Sequence, residues 1–457
     1  MAAHANHLAA FRLKFSSANN HLVAEGLGIL VAGWLAPDLQ GAAAWVQEGR
    51  RILEAEALNQ ILPDGVGVEQ SPTYQAFTME MLALGVLLAQ EVGQPLSGGV
   101  TERLAAGAEH LLWLLDETGR APAIGDDDEG RVIAQPPDRE PRYVSSVVAA
   151  VAGLIGREDL APPARDPHLR DFLFGSPERP GGRIEGVRVF RAGGYTVAHD
   201  AVQDRSVHLV LDHGPLGHAP LAAHGHADAL AVWLTIDGEP VFVDAGTYLY
   251  FSGRDLRVRL RESLAHNTLN IAGVSQSRAA PGFGWTSRAN AALRDFAPGP
   301  EWSSTGAHDG YQARFGVARV RSVRRTATGY RIVDRLEGAR APLPVTLDFM
   351  CRPGLSLVDD GRSVTVFSGS QALCRVRPPI GFAVQLTKVG SDDHGPNQPL
   401  FSRSFGDLEL ASRITFAGLL TAEAVETGIE IMAAGPTDGP NLEATQGESG
   451  GLCRSDS

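Results

Sequence analysis

The chain has 457 residues, of which 44% are hydrophobic and 20% charged, and its formal net charge is −13. At ~150 residues per domain the length gives two or three folding units, and the apolar content excludes a wholly disordered chain. The acidic balance excludes a broad basic surface for nucleic acid, so a polyanion would have to be met by a local cationic cleft within an acidic surface.

The first residues, MAAHANHLAAFRLKFSS, lack the continuous apolar stretch of a secretory leader, and no run approaches the ~20 apolar residues of a membrane span. The chain as given is therefore expected to be soluble and cytoplasmic, or periplasmic or secreted if a leader has been lost. From residue 18 to about 160 the pattern predicts helices, over 21–36, 41–62, 74–92, 101–119 and 143–156. The break before Pro37, the turn-rich 63–72 stretch, Thr101 as N-cap and Gly119 as terminator set their limits. The loop 121–131 carries Asp126, Asp127, Asp128 and Glu129. A cation site or a substrate-proximal turn is one reading, but the other ligands of an EF-hand loop are missing, and a solvated acidic loop is the expectation.

Composition changes at 166–186, rich in Pro and Gly and expected to be a linker. From 187 the sequence alternates in segments such as VRVFRAGGYTVAHD, SVHLVLDHG and PVTLDFMCR, which predicts antiparallel strands to about 435, followed by a disordered tail over 436–457. Cys351, Cys374 and Cys453 are too few and too widely spaced for a disulfide framework or a cysteine metal site, leaving only a Cys351–Cys374 bridge to consider. The fold class is thus α+β multidomain, with a helical domain over 1–165 and a large antiparallel β-sandwich over 187–435.

Three segments carry candidate chemistry. In AAHGHADAL (222–230), His224, His226 and Asp228 alternate, so a strand would place them on one face. Asp244 follows the next predicted strand and a hairpin can return it to His226; His266 lies in SLAHNTL. Two imidazoles and a carboxylate are a zinc-compatible donor set, against the plain reading of surface residues in a turn-rich region. In SSANNHL, Asn19 reads as an N-cap, with Asn20 and His21 after it; in VEQSPTYQ, Tyr74 opens an apolar helix and by itself reads as a packing residue.

Taken together, NNH (19–21), EQSPTY (69–74), AAHGHADAL (222–230), VDAGTY (243–248) and SLAHNTL (263–269) resemble the heparinase II/III-like polysaccharide lyases, which include oligoalginate lyases. The resemblance implies an incomplete (α/α) toroid joined to the β-sandwich, with a cleft between them. It implies β-elimination on a uronate-containing polysaccharide, with Asn20 and His21 at the substrate carboxylate and Tyr74 and His224 as the acid/base pair. It also implies a zinc ion, structural in role, held by His226, Asp244 and His266, with Asp228 outside the ligand set. RDLRVRLRE offers Arg254, Arg257, Arg259 and Arg261, of which the alternating Arg257, Arg259 and Arg261 would sit on one strand face, and Arg254, Arg257 and Arg261 are the candidates to bind the polyanion, the other reading being a solvated edge. The NNH motif stands earlier than in family members generally, so a shortened toroid is expected. A non-catalytic polysaccharide-binding or assembly protein, a glycoside hydrolase and a zinc hydrolase are the competing classes; the last lacks an HExxH helix.

Overall fold

The structure is a computed structural model and describes residues 1–13, 15, 18–135, 139–219, 221–388 and 398–435. The tail expected to be disordered, and Cys453 in it, lie outside the described residues.

The N-terminal half is built from α1 (Ala2–Ala10), α2 (Asn20–Leu35), α3 (Ala42–Gln60), α4 (Pro72–Glu91), α5 (Gly98–Leu114), α6 (Tyr143–Ile155) and α7 (Leu169–Phe174). Helix α2 packs on α3 and α4, and α4 packs on α5 and α6. The start of α4 is written in its sequence. The Ser71 side chain accepts from the Tyr74 amide at 3.2 Å, and Pro72 takes a first-turn position where no N–H is needed. Helix α5 departs from expectation, running from Gly98 to Leu114 instead of from Thr101 to Gly119. Asp116 ends it early: its carboxylate accepts from the Thr118 and Arg120 amides and the Thr118 hydroxyl, giving the chain a turn in place of another helical one.

The expected linker 166–186 is not featureless. It contains α7, opened by a capping box between His168 and Asp171. Arg170 in α7 is fully buried, with its Nε 2.5 Å from Glu80 and a terminal nitrogen 2.6 Å from Glu140, so the segment is docked on the helical body.

Most of the described strands form two large antiparallel sheets, and two further pairs stand by themselves. The first contains β1 (Gly186–Phe190), β2 (Tyr195–Val202), β3 (Arg205–Asp212), β4 (Val232–Ile236) and β5 (Glu239–Phe242) side by side, continuing through Leu343–Cys351, Ser412–Leu420 and Ala383–Thr387, with Leu269–Ile271 also paired to Leu343–Cys351. The second has eight strands between residues 291 and 431. Phe190, Val197, Val210 and Trp233 join the helical core, whereas Leu209, Leu211 and Phe349 join the core between the sheets. Around β3 the first sheet is therefore covered on both faces, and β3 is buried along almost its whole length.

Cys351 and Cys374 lie in different sheets, both buried and both free, so the bridge considered from sequence is not formed. Burial pushes both thiols up, that of Cys374 to about 12. Residues Arg254–Arg261 form a helix, α8, and not the expected strand. The Arg257/Arg259/Arg261 alternation was real, but helical spacing instead puts Arg257 and Arg261, four apart, on one face. The His224–His226–Asp228 stretch is also not a strand; it lies in the irregular connection between β3 and β4, where Ala222 and Leu230 adopt positive φ of 51° and 62°. The described residues contain no helix long and apolar enough to cross a membrane.

Candidate functional site

Three distant segments meet at one glycine. Gly125 has φ of +63°, and a Cβ there would stand 2.6 Å from the His224 carbonyl oxygen and 2.7 Å from that of Gln70. Only glycine allows this approach. It brings the 121–131 loop, the cap of α4 and the β3–β4 connection together. The Asp126 amide then donates to the His224 carbonyl at 2.9 Å, and the Ser71 hydroxyl to the Asp126 carbonyl at 2.6 Å.

Asp126 is fully buried, which corrects the expectation of a solvated acidic loop. Its carboxylate takes the Arg257 guanidinium in a two-pronged pair, 2.5 Å on one arm, together with His224 Nδ1 at 3.2 Å and His226 Nε2 at 2.9 Å. Burial alone would raise this carboxyl; Arg257 and the two imidazoles outweigh it and hold it well below the usual carboxylate range. The acid run carried no sign of this in sequence, because the partners lie 98 to 131 residues away.

On one side of Asp126 is a cavity of about 350 Å³, lined by Asn19, His21, Glu69, Tyr74, Asp128, His218, His224, Tyr250 and Phe283 among others. The Tyr74 and His224 rings stack at 3.7 Å with 18° between planes. The Tyr74 and Tyr250 hydroxyls are 2.6 Å apart. Burial pushes the Tyr74 phenol far above its ordinary range, and Tyr250 and Asp128 beside it push the same way; Tyr250 is raised too, chiefly by burial. Both tyrosines are thus neutral proton carriers. With Nδ1 directed at Asp126, His224 presents Nε2 away from it, 3.8 Å from Glu69. His21 is exposed at the first turn of α2, where Asn19 caps the helix by accepting from the His21 amide at 3.2 Å.

Asn20 does not line this cavity. Its Nδ2 donates to both Glu69 oxygens at 3.0 Å, so any donation to a substrate carboxylate competes with Glu69. Glu69 and Tyr250 sit inside or beside the quoted motifs and were passed over, as was Asp126. Of the arginines, Arg257 is committed to Asp126. Arg261 is buried, donating to the carbonyls of Gly282 (2.8 Å) and Phe283 (3.2 Å) and lying over the Trp285 ring. Arg254 is exposed and lines no part of the cavity. The inward positions of Arg257 and Arg261 correct the expectation that these two face the polyanion.

On the other side of Asp126 is a buried cluster of His226, Asp244 and His266, whose ligand atoms lie within 4.8 Å of one another. The β4–β5 hairpin returns Asp244 to 3.9 Å from His226 Nδ1, and His266 Nδ1 lies 2.6 Å from Asp244. Asn267 fixes this corner by donating to the Val232 and Val243 carbonyls, both at 2.9 Å, and accepting from the Met350 amide at 2.6 Å. His226 Nδ1 and His266 Nε2 are buried without a hydrogen-bond partner. Two orphaned imidazole nitrogens beside a carboxylate, with His226 oriented by Asp126 through its other nitrogen, form a donor set that could coordinate a metal ion. Burial pushes His226 down to about 4, which keeps it neutral as a ligand must be. Asp228 stands apart, fully buried, its carboxyl raised by burial to about 7.

Residues 183–426 match the family description "Heparinase II/III-like, C-terminal", and residues 1–97 match "Heparinase II/III N-terminus". The chain belongs to the heparinase II/III-like family. A heparin-sulfate lyase of Bacteroides thetaiotaomicron is 23% identical over 288 residues, 58% of this chain and 38% of that protein. Among solved structures, a heparinase III superposes with a TM-score of 0.75 at 20% identity, covering 95% of this chain and 64% of that one. A second heparinase III, with methylated lysines, gives 0.71 at 17%, covering 95% and 62%. The chain therefore spans less than two thirds of these relatives, and at such identities the structural likeness speaks for the fold: a helical region, consistent with an (α/α) toroid, followed by a large antiparallel β region.

Proposed function

We propose that this chain cleaves a uronate-containing polysaccharide by β-elimination. The observation that carries the reading is the stacked Tyr74–His224 pair, with Tyr250 in contact with one member and Asp126 with the other, on the wall of one cavity. The proton on C5 of a uronate is weakly acidic, so its removal needs a positioned base and stabilisation of the negative charge that develops on the carboxylate. His224 supplies the base: Asp126 holds the Nδ1–H tautomer, leaving the Nε2 lone pair to accept the proton. His21, at the positive end of the 16-residue α2, meets the carboxylate, with Asn20 joining when it exchanges Glu69 for substrate. The electron pair left at C5 forms the C4–C5 double bond as the bond to O4 breaks. Tyr74, which burial keeps protonated, donates its proton to the leaving oxygen, with Tyr250 in line to restore it.

His226, Asp244 and His266 would hold a zinc ion whose contribution is to tie the β3–β4 connection, the end of β5 and the 263–266 turn together. None of the three lines the catalytic cavity, which supports a structural role.

The test is a panel of uronate polysaccharides followed by the ultraviolet absorbance of the unsaturated product. Wild type should generate absorbance on at least one member, and Tyr74→Phe and His224→Ala should not. Absence of signal from folded, zinc-loaded protein on every uronate polymer would sink the reading.

A further inference from the structure

Three charged side chains are sealed inside the sandwich. In the second sheet, strand Ala318–Thr326 carries Arg319 and Arg321, and strand Gly329–Glu337 carries Asp334 in register with Arg321; all three residues are fully buried. Asp334 accepts from Arg321 Nε and a terminal nitrogen of the same side chain, both at 2.9 Å, and from Arg319 at 3.0 Å. Burial alone would raise the Asp334 carboxyl; Arg321 and Arg319 outweigh it and hold it below the usual range. Burial, with Arg321 beside it, pulls Arg319 down only to about 10, so it stays charged near neutral pH.

Stability does not account for such a triad, because apolar residues of similar volume often serve a core as well or better. What apolar residues lack is N–H donors. The donors not spent on Asp334 cross the sandwich to two irregular segments. Arg321 Nη1 donates to the Leu230 carbonyl at 2.8 Å and to the Asn267 carbonyl at 3.1 Å. Arg319 Nη1 donates to the Thr268 hydroxyl and, at 3.4 Å, to the Ala229 carbonyl; the Thr268 hydroxyl itself donates to Ala229 at 3.2 Å. Leu230 is buried with φ of 62°, and its carbonyl takes its donor from Arg321 where a strand would supply a ladder bond. Gly306 stands opposite Arg321 on the adjoining strand, and a Cβ there would lie 2.5 Å from the Leu230 side chain, so a glycine lets the second sheet close onto this residue.

The two segments held in this way carry the imidazoles of the buried cluster. Ala229 and Leu230 end the stretch that begins at His224 and His226, and Asn267 and Thr268 follow His266 directly. We propose that Asp334, Arg319 and Arg321 are positioning residues for the His226–Asp244–His266 corner, fixing the spacing of its two imidazoles before an ion arrives; this rests on the metal reading given above. One guanidinium bridging carbonyls from both segments sets their separation, and a site assembled in advance spends less of its binding energy on ordering ligands.

The experiment measures the zinc affinity of the full chain by competition with a chromophoric chelator. Arg321→Lys keeps a cation beside Asp334 but loses the planar fork, and its zinc dissociation constant should rise about tenfold or more. Val366→Ala is the control: it opens a cavity in the same core, with two strands of the second sheet between it and Gly329–Glu337. It should lower the melting temperature and leave the zinc dissociation constant at the wild-type value. Thr268→Val keeps the variant set informative if the lysine substitution prevents folding. It removes only the hydroxyl that Arg319 meets, leaves every charge paired, and should raise the dissociation constant about threefold. An unchanged zinc affinity in folded Arg321→Lys or folded Thr268→Val overturns the proposal, as does an equal loss in Val366→Ala, which would mean general loosening. If wild type binds no zinc, the metal reading falls and takes the positioning role with it; if wild type binds zinc and the variants match it, the positioning role alone falls.

Discussion

His224 and His226 are two residues apart and share the carboxylate of Asp126, yet they belong to different regions. His224 stacks on Tyr74 at the wall of a cavity, while His226 is sealed in a cluster with Asp244 and His266. Both use one ring nitrogen on Asp126 and differ in what the other nitrogen meets: space beside Glu69 for His224, the buried Asp244–His266 corner for His226. Residue type does not separate a proton-transfer group from a metal ligand; the surroundings of the second nitrogen do.

The comparison breaks most cleanly on the cavity side. Tyr74→Phe or His224→Ala should lower kcat/KM by roughly a thousandfold, the range for loss of a positioned acid or base, while zinc content by atomic absorption stays at the wild-type level. A parallel loss of metal would mean the two regions are one. Asp126→Asn should damage both together. It leaves Arg257 buried without its carboxylate, expected to destabilise the fold by ~3–5 kcal/mol in denaturant titrations, and weakens metal affinity by about 10- to 100-fold through His226.

Removing metal by chelation should act on the other region. Apparent stability is expected to fall by about 3–4 kcal/mol if the ion had been present at 100 to 1,000 times its dissociation constant, and re-addition of zinc should restore it. An unchanged melting temperature would remove the structural role assigned to the cluster.

Acid should reveal buried imidazoles outside both regions. Burial pushes His110 down to about 3 and His213 down to about 4, so both are neutral in the fold, while in the unfolded chain they take up a proton below about 6.5. The unfolded state then binds more protons, and stability falls as pH drops from about 6.5 toward 3. The two together should contribute on the order of a few kcal/mol to that decline, and the His110→Gln/His213→Gln double variant should show a shallower slope in unfolding midpoint against pH. The smallest effect belongs to Arg254→Ala: the side chain is exposed and away from the cavity, so stability should move by less than about 0.5 kcal/mol and KM hardly at all.

Much of this could be read from the chain. The helix-then-strand order and the meeting of His226, Asp244 and His266 were legible because they rest on local pattern and on a hairpin that returns a residue to its neighbour, whereas the Ser71–Pro72 start of α4 was placed two residues late, at Tyr74. The alternation of His224, His226 and Asp228 pointed to a shared strand face for a site that lies on an irregular connection held by positive-φ residues. The period of two in RDLRVRLRE concealed a helix, because Leu256, Val258 and Leu260 alternate with the arginines in sequence while only Leu260 is fully buried. Asp126 was the largest omission. A run of four acidic residues reads as solvated wherever it occurs, and its meaning here depends on an arginine 131 residues later.

The sequence by itself determined the order of a helical region followed by a strand region, and it supplied the histidines, the tyrosine and the carboxylates. Only the tertiary structure decided that one carboxylate would join cavity and cluster, that Arg257 and Arg261 would turn inward, and that Glu69 and Asp128 would line the cavity. Those outcomes are set by contacts between residues far apart in the chain and by the removal of water around them, and no local pattern of residues carries that information.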